Sequence, residues 1–500
     1  MSCLLVLGDQ LFPITPALSK WKDRGPVFMA EDSALCTHFR YHQHKLVLFL
    51  AAMRNYRDEL AHAGFEVAYH ELSDESLESR LEKFLKKHGL KTVVSHEVSD
   101  RFFEERLQDL FSRLQIEWIR IENPGFVTPR PEFTRYLRSV KKPFMKTFYE
   151  SQRRRLGILV DRDGEPEGGR FSFDDENRER LPKEISLPGV PPSGPHDAHT
   201  SAVIELVARR FADHPGDART FWLPTDRAGA RAWLKIFLRE RLASFGTYED
   251  ALSTRDPFLF HSILTPFLNT GLLTPGEVVE AVLREHGRGK LPLNSVEGFL
   301  RQVIGWREFV FGIDRHFGPR QHEENHFGHE RLLTKHWYDG TTGLVPLDDM
   351  IRKATRHGYA HHIERLMVAG NFMLLSEIHP REAYRWFMEL FVDSADWVMG
   401  PNVFGMGLHS DGGIFATKPY ICGSNYLLKM SDYGKGPWCE IADVLYWSFI
   451  AKHQKAFVKN PRMATIARAY DRLAPARRET LHRAAEDFKS RVTAPAPSGS

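Results

Sequence analysis

Several things are scarce in this chain, and each absence removes a class of protein. No apolar run approaches the roughly 20 residues that a bilayer-spanning helix needs, so no membrane span is expected. The stretch up to Leu11 has neither a basic leader nor a small-residue cleavage site, which predicts a buried strand rather than a signal peptide. Cysteine is limited to Cys3, Cys36, Cys422 and Cys439, with no C-x-x-C pair or other metal-ligand spacing. Such usage implies a reducing, cytoplasmic setting and buried, unpaired thiols. An excess of one charge is also missing: 68 Lys and Arg against 65 Asp and Glu leave a net charge of +3. That balance allows a local basic patch for nucleic acid without arguing for one. No GxGxxG follows the first apolar run, so a dinucleotide site in the amino-terminal half is not supported.

What is present is apolar and aromatic. Of 500 residues 42% are hydrophobic and 35 are Phe, enough for two or three buried cores. Short β-like runs at Cys3–Leu7, Val27–Ala30, Phe65–Tyr69 and 92–94 alternate with helical spacing, notably Leu46, Phe49, Leu50, Met53 and Leu60. This alternation predicts a Rossmann-like α/β domain over 1–121. Pro/Gly-rich punctuation over 122–215, including the run Leu187 to Pro195, predicts a connector crossing the surface. Helical periodicity dense in Trp and Phe predicts a large all-α domain over 216–490, and the Ala/Pro/Ser/Gly-rich end, 491–500, a disordered tail.

The helical half carries a sequence of motifs in a telling order. They are His261-Ser262-Ile263-Leu264-Thr265-Pro266, then Arg301-Gln302 to Trp306-Arg307-Glu308, then Tyr359-Ala360-His361-His362 to Arg365. Pro401-Asn402-Val403, Asp411-Gly412-Gly413 and Thr417-Lys418-Pro419-Tyr420 follow. With Leu7-Gly8-Asp9-Gln10-Leu11 at the start, this order resembles the photolyase–cryptochrome superfamily, and within it the prokaryotic (6-4) photolyases. The likeness runs from about 4 to 450. It implies a blue-light-driven enzyme that binds FAD and UV-damaged DNA as a monomer.

The residue types suit the roles that the resemblance implies. Ser262 and Thr265, beside His261, can present hydroxyls and N–H groups to a pyrophosphate, although a simple N-cap before Pro266 is the plainer alternative. Arg307 would meet phosphates or neighbouring acids. Arg365 would pair with Asp393 or Asp396 near the flavin ring, or form a purely structural ion pair. Asn402 would face flavin N5, with Pro401 before it suggesting a bend. His361 and His362 are neighbours on one predicted helix and project about 100° apart, so only one can face the lesion. The resemblance makes His362 the proton donor, because imidazole titrates near working pH; ordinary polar packing is the alternative. Gln302, Trp306 and Tyr420 would line the lesion pocket, Trp306 stacking on a flipped nucleotide. Trp386 and Trp337 would relay electrons to oxidised flavin, with packing in the core as the alternative. Phe387 stands where relatives often carry Tyr. Asp9, Gln10, Glu31 and Lys45 match an antenna pocket for a ribityl-lumazine, with surface and strand-end polar residues as the alternative. Leu35 replaces an acid common there.

The chain also departs from these relatives. Their four-iron cluster uses four cysteines, one directly after Ser-Asp-Tyr. Here Ser431-Asp432-Tyr433 is followed by Gly434, Gly343-Leu344 stands near another expected cysteine, and only Cys439 lies near a ligand position. One thiolate cannot hold a cluster, so none is expected. His322, His326 and His329 could share a helical face, but their polar surroundings favour a solvated surface over a metal site. A photoreceptor without repair activity and a cyclobutane-dimer photolyase remain as alternatives, with a dark flavoprotein oxidoreductase further off.

Overall fold

The computed structural model describes residues 2–191, 194–289 and 291–496, apart from the side chains of Pro16 and Ala17. Five strands, β1 (Ser2–Leu5), β2 (Val27–Ala30), β3 (Val67–His70), β4 (Thr92–His96) and β5 (Glu117–Ile121), form one sheet in the order β3-β2-β1-β4-β5. Every pairing is parallel, with Leu4 opposite both Val27 and Val94. Parallel strands need crossovers, which cover both faces and make the inner strands continuously apolar. β2 is accordingly buried at all four positions.

The two-residue period sorts side chains between two cores. Cys3, Leu5 and Leu7 pack with Leu81, Phe84, Leu107 and Phe111 from helices α1 (Leu77–His88) and α2 (Arg101–Leu114). Leu4 and Val6 face the other way, onto Leu46, Val47 and Leu50 of the helix Gln43–His62. That second core continues without a break into the helical half, so the sheet is joined to the rest by apolar packing.

From Ala198–Arg210 to Pro475–Val492 the chain is almost wholly helical. The architecture is therefore an α/β region followed by a mostly α-helical part, as expected. No helix is long and apolar enough to cross a membrane among the described residues. Cys3, Cys36 and Cys422 are buried, Cys439 is half-buried, and all four are unpaired.

Four expectations need correction. The connector does not merely cross the surface: its helix Met145–Leu156 buries Phe148, Tyr149 and Arg153, and packs against Arg301–Trp306. Gly305 allows this, because a Cβ there would lie 3.0 Å from the Tyr149 ring. Pro401 is not at a bend: it opens a π-helical segment, Pro401–Gly407, that continues the helix Asp396–Gly400. A wide turn accommodates the missing N–H that an α-helical interior would not. The tail is ordered at Thr493–Ala494, which pair antiparallel with Leu332–Leu333; its last four residues, 497–500, lie outside the described residues, as do Pro192 and Ser193 of the proline-rich run. Finally, the stretch of His322, His326 and His329 is not solvated throughout: the helix holding His322 ends at Glu323, so His326 and His329 do not share its face, and His329 is buried.

Candidate active site

Three helices of the second half widen into π-helical turns, at Arg301–Trp306, Glu364–Gly370 and Pro401–Gly407. Such turns cluster at functional sites because they push side chains out of the regular α register. Here all three line one cavity of about 550 Å³. It brings together His261, Ser262, Thr265, Gln302, Trp306, Arg307, His362, Arg365, Asp393, Asn402 and Tyr420, eleven of the residues singled out from sequence.

One wall is an ionic lattice. Arg365 donates to both carboxylate oxygens of Asp393, at 2.9 and 3.2 Å. Its guanidinium lies 4.0 Å from the Phe391 ring, and Nε donates to the Ala360 carbonyl. Asp393 also accepts from the Thr265 hydroxyl at 2.8 Å, and its backbone carbonyl accepts from Asn269. Thr265 is thus not a helix cap; its hydroxyl braces the acid. Arg307 donates to Asn269 at 2.7 Å and lies 5.1 and 4.7 Å from the rings of Phe126 and Trp397, with burial lowering its pKa to about 10. Its Nε is buried without a partner. Asp396 does not line the cavity: it accepts from the Tyr384 hydroxyl and lies 3.9 Å from His322.

The loop entering this wall is backbone-strained, with Leu259 at φ 47° and Ile263 at φ 54° flanking His261 and Ser262. His261 stacks on His361 at 4.4 Å with rings 8° from parallel. His361 precedes the helix that begins at His362, and its buried ring, 3.5 Å from Glu364, does not line the cavity. His362 alone of the pair lines the cavity, where its ring is reachable by solvent although protein surrounds it. That enclosure, and then Arg365, lower its pKa to about 4. The Asn402 amide donates to the Val398 carbonyl at 2.8 Å, which leaves its own oxygen unengaged.

Trp386 and Trp337 are fully buried and joined, the Trp386 indole donating to the Trp337 carbonyl at 2.8 Å. Neither lines the cavity; Phe387, whose ring centre is 5.0 Å from that of Trp386, does. At the sheet, burial pushes the Asp9 carboxyl up to about 6. Gln10 donates to the carbonyls of His96 and Glu97, and Lys45 to Ser394. Glu31 is held by Arg54, Tyr69 and the Leu72 amide.

Sequence reasoning gave no role to another part of the lining: Tyr149, Asp174, Glu249 and Arg301, the last named only as the start of a motif. Buried Arg301 draws Asp174, Glu297 and Glu249 to 2.8, 3.3 and 3.7 Å. Glu249 follows no motif, and nothing local marks it. No group of three or more His, Cys, Asp or Glu able to hold a metal is present among the described residues.

Comparison with known proteins gives this cavity a lineage. Residues 4–223 match the family described as deoxyribodipyrimidine photo-lyase-related protein, and residues 299–422 match the FAD binding domain of DNA photolyase. A (6-4) photolyase of Agrobacterium fabrum is 32% identical over 97% of this chain and 98% of its own. The chain belongs to the photolyase/cryptochrome superfamily.

A class III photolyase of Agrobacterium tumefaciens shares this superfamily's fold with a TM-score of 0.58 at 17% identity, each chain covered to 98%. A Synechocystis cryptochrome does so at 0.58 and 14%, covering 98% of this chain and 99% of its own. The segment that matches the FAD binding domain, 299–422, supplies Gln302, Trp306, Arg307, His362, Arg365, Asp393, Asn402 and Tyr420 of the cavity lining, and His261, Ser262 and Thr265 lie before it. The lining fits the cofactor: unpartnered buried Nε atoms of Arg307 and Nε2 of His261, with the Ser262 hydroxyl, suit an anionic, polar ligand.

Proposed function

We propose that this protein is a DNA photolyase that repairs (6-4) pyrimidine photoproducts with blue light. The observation that carries the reading is His362 on the wall of a cavity shared with Gln302, Trp306 and Tyr420, while its neighbour His361 is turned into the core. Only a lesion whose repair returns a hydroxyl from one base to the other needs an acid there. The 32% identity to a (6-4) photolyase supports the same choice.

Ser262, Arg307, Arg365 and Asn402 would hold FAD, which when bound and reduced supplies the light-driven electron for the lesion. The Asp393–Arg365 pair, neutral as a whole, holds the Arg365 guanidinium in a fixed place at the cavity wall. Trp306 offers a face for the extruded base to stack on. His362 holds the proton that is given to the lesion's hydroxyl and later taken back. A DNA phosphate beside it would favour the protonated ring, against the burial and the Arg365 charge that lower its proton affinity. Trp386 and Trp337 would carry electrons to oxidised flavin, with Phe387 between them and the cavity. DNA docks through Lys and Arg to phosphates, and the protein acts as a monomer.

The α/β region, 1–121, would carry a ribityl-lumazine at Asp9, Gln10 and Lys45, with Glu31 contributing through Arg54. The connector, 122–215, and the helical part, 216–490, complete the domain plan. No iron–sulfur cluster is proposed: Trp438 is buried and donates to the Gly434 carbonyl where relatives place cysteine, leaving Cys439 alone.

The test is blue-light repair of oligonucleotides carrying a single (6-4) product or a single cyclobutane dimer. Repair of the (6-4) substrate alone, reduced about 10²- to 10⁴-fold in His362→Ala, is expected. Repair of the cyclobutane dimer alone, or of neither by a protein holding photoreducible FAD, would overturn the proposal in favour of the other lesion or of a photoreceptor.

A further inference from the structure

Gln302 reaches the cavity with both of its amide hydrogens spoken for. Its Nε2 donates to Glu249 Oε1 at 2.8 Å and to the Gly298 carbonyl at 3.3 Å. A carboxylate has only acceptor atoms, so an ionised Glu249 can bind the amide's NH₂ and not its oxygen. Glu249 is itself held in place: its second oxygen accepts from Asn177 at 2.9 Å, and Arg301 stands 3.7 Å away. The one polar atom that Gln302 has left for a ligand is its carbonyl oxygen.

We propose that Glu249 is a positioning residue that fixes the polarity of Gln302, so that the site offers the lesion an acceptor and selects a pyrimidine ring bearing an N–H or amino donor. This rests on the repair reading and adds to it the chemical face of the base that is read. A site built to receive a donor rejects a base without one, because the buried acceptor would go unpaired.

The charge on Glu249 decides whether the arrangement persists. Facing it are Arg301 and, further out, Asp174, Asp250 and Arg178, the last lying 3.8 Å from Asp250. Burial pushes Glu249 up to about 7, against the lowering effect of Arg301 and Asn177. Once protonated, Glu249 can donate, the Gln302 amide can turn over, and the acceptor is no longer enforced.

Two readouts test this. The first needs no DNA: the side-chain ¹⁵N amide resonance of Gln302, assigned by its loss in Gln302→Met. It should show slow hydrogen exchange at pH 8 and titrate near neutrality, and Glu249→Gln should abolish the titration while the melting temperature holds. A Gln302 amide that exchanges freely, or titrates equally in Glu249→Gln, overturns the proposal.

The second is dark binding of (6-4) oligonucleotides at pH 8. Glu249→Gln should cost about five- to tenfold in affinity beside Gln302, and nothing beside Gln302→Met. An equal loss in both backgrounds would make Glu249 merely structural and overturn the proposal. If wild type does not prefer lesion DNA at all, the repair reading falls and base selection with it, while the amide resonance still decides the polarity of Gln302.

Discussion

Replacing Asp393 by Asn removes one charge from the Arg365–Asp393 pair and puts an NH₂ where an oxygen received Arg365, alone at Oδ1 or together with Thr265 at Oδ2. The side chains are only 15% and 6% exposed, so Arg365 would be left as a poorly solvated cation. Orphaning one member of a buried ion pair costs about 3–5 kcal/mol. Two features reduce that here. Arg365 keeps its bond to the Ala360 carbonyl and its stacking on Phe391 at 4.0 Å, and the cavity can admit water to the guanidinium. A loss of about 2–3 kcal/mol is therefore expected, read from urea unfolding at pH 7.5 followed by tryptophan fluorescence. Arg365→Met combined with Asp393→Leu should return to within about 1 kcal/mol of wild type, since no unpaired charge remains. A loss under about 1 kcal/mol for Asp393→Asn, or a double variant weaker than the single, would refute the claim that this wall is held by charge pairing.

Other outcomes can be checked alongside. His42 is wholly buried, its Nε2 meeting the Thr355 carbonyl and its Nδ1 accepting from the His44 amide, and burial followed by the nearby His44 lowers its pKa to about 3. Because the unfolded chain binds this proton first, stability should fall as pH drops from about 6.5 towards 3. The loss is about 2 kcal/mol by pH 5, and it should be absent from the acid limb of His42→Gln. Gly246→Ala would set a Cβ 2.7 Å from the Ser295 backbone. It should lower stability by about 1–3 kcal/mol, measured by the urea midpoint, because backbone cannot yield as a side chain does. Trp386→Phe should slow light-driven reduction of bound FAD at least tenfold in steady illumination while leaving dark affinity for lesion DNA unchanged; unaltered photoreduction would remove Trp386 from the electron route.

Much of the molecule was readable from residue order because local pattern and burial agree in it. Val27–Ala30 is a strand wherever it is buried, and the Gln43–His62 helix announces itself by apolar spacing. β5 escaped notice because Glu117, Ile119 and Arg120 are exposed, so an edge strand gives a weak apolar signal. The Met145–Leu156 helix was hidden for a different reason: fully buried Arg153 spends its donors on the carbonyls of Ile158, Leu159 and Phe171. Such satisfaction by backbone beyond the helix's own end cannot be read from composition. Motif residues around the cavity stood out by resemblance. Glu249 did not, since its meaning lies in Gln302, which is 53 positions away in the chain.

The three widened turns also make the cavity intolerant of changes in length. A π-turn holds one residue more than the α-turn it replaces, and each residue turns a helix by about 100°. Deleting one position from Arg301–Trp306 would let that helix relax to regular winding, swinging Gln302 relative to Trp306 by more than a quarter circle. The same holds for Arg365 in Glu364–Gly370 and Asn402 in Pro401–Gly407. Insertions and deletions compatible with this site must therefore fall in the loops, while these three helices behave as a ruler whose marks cannot be moved one at a time.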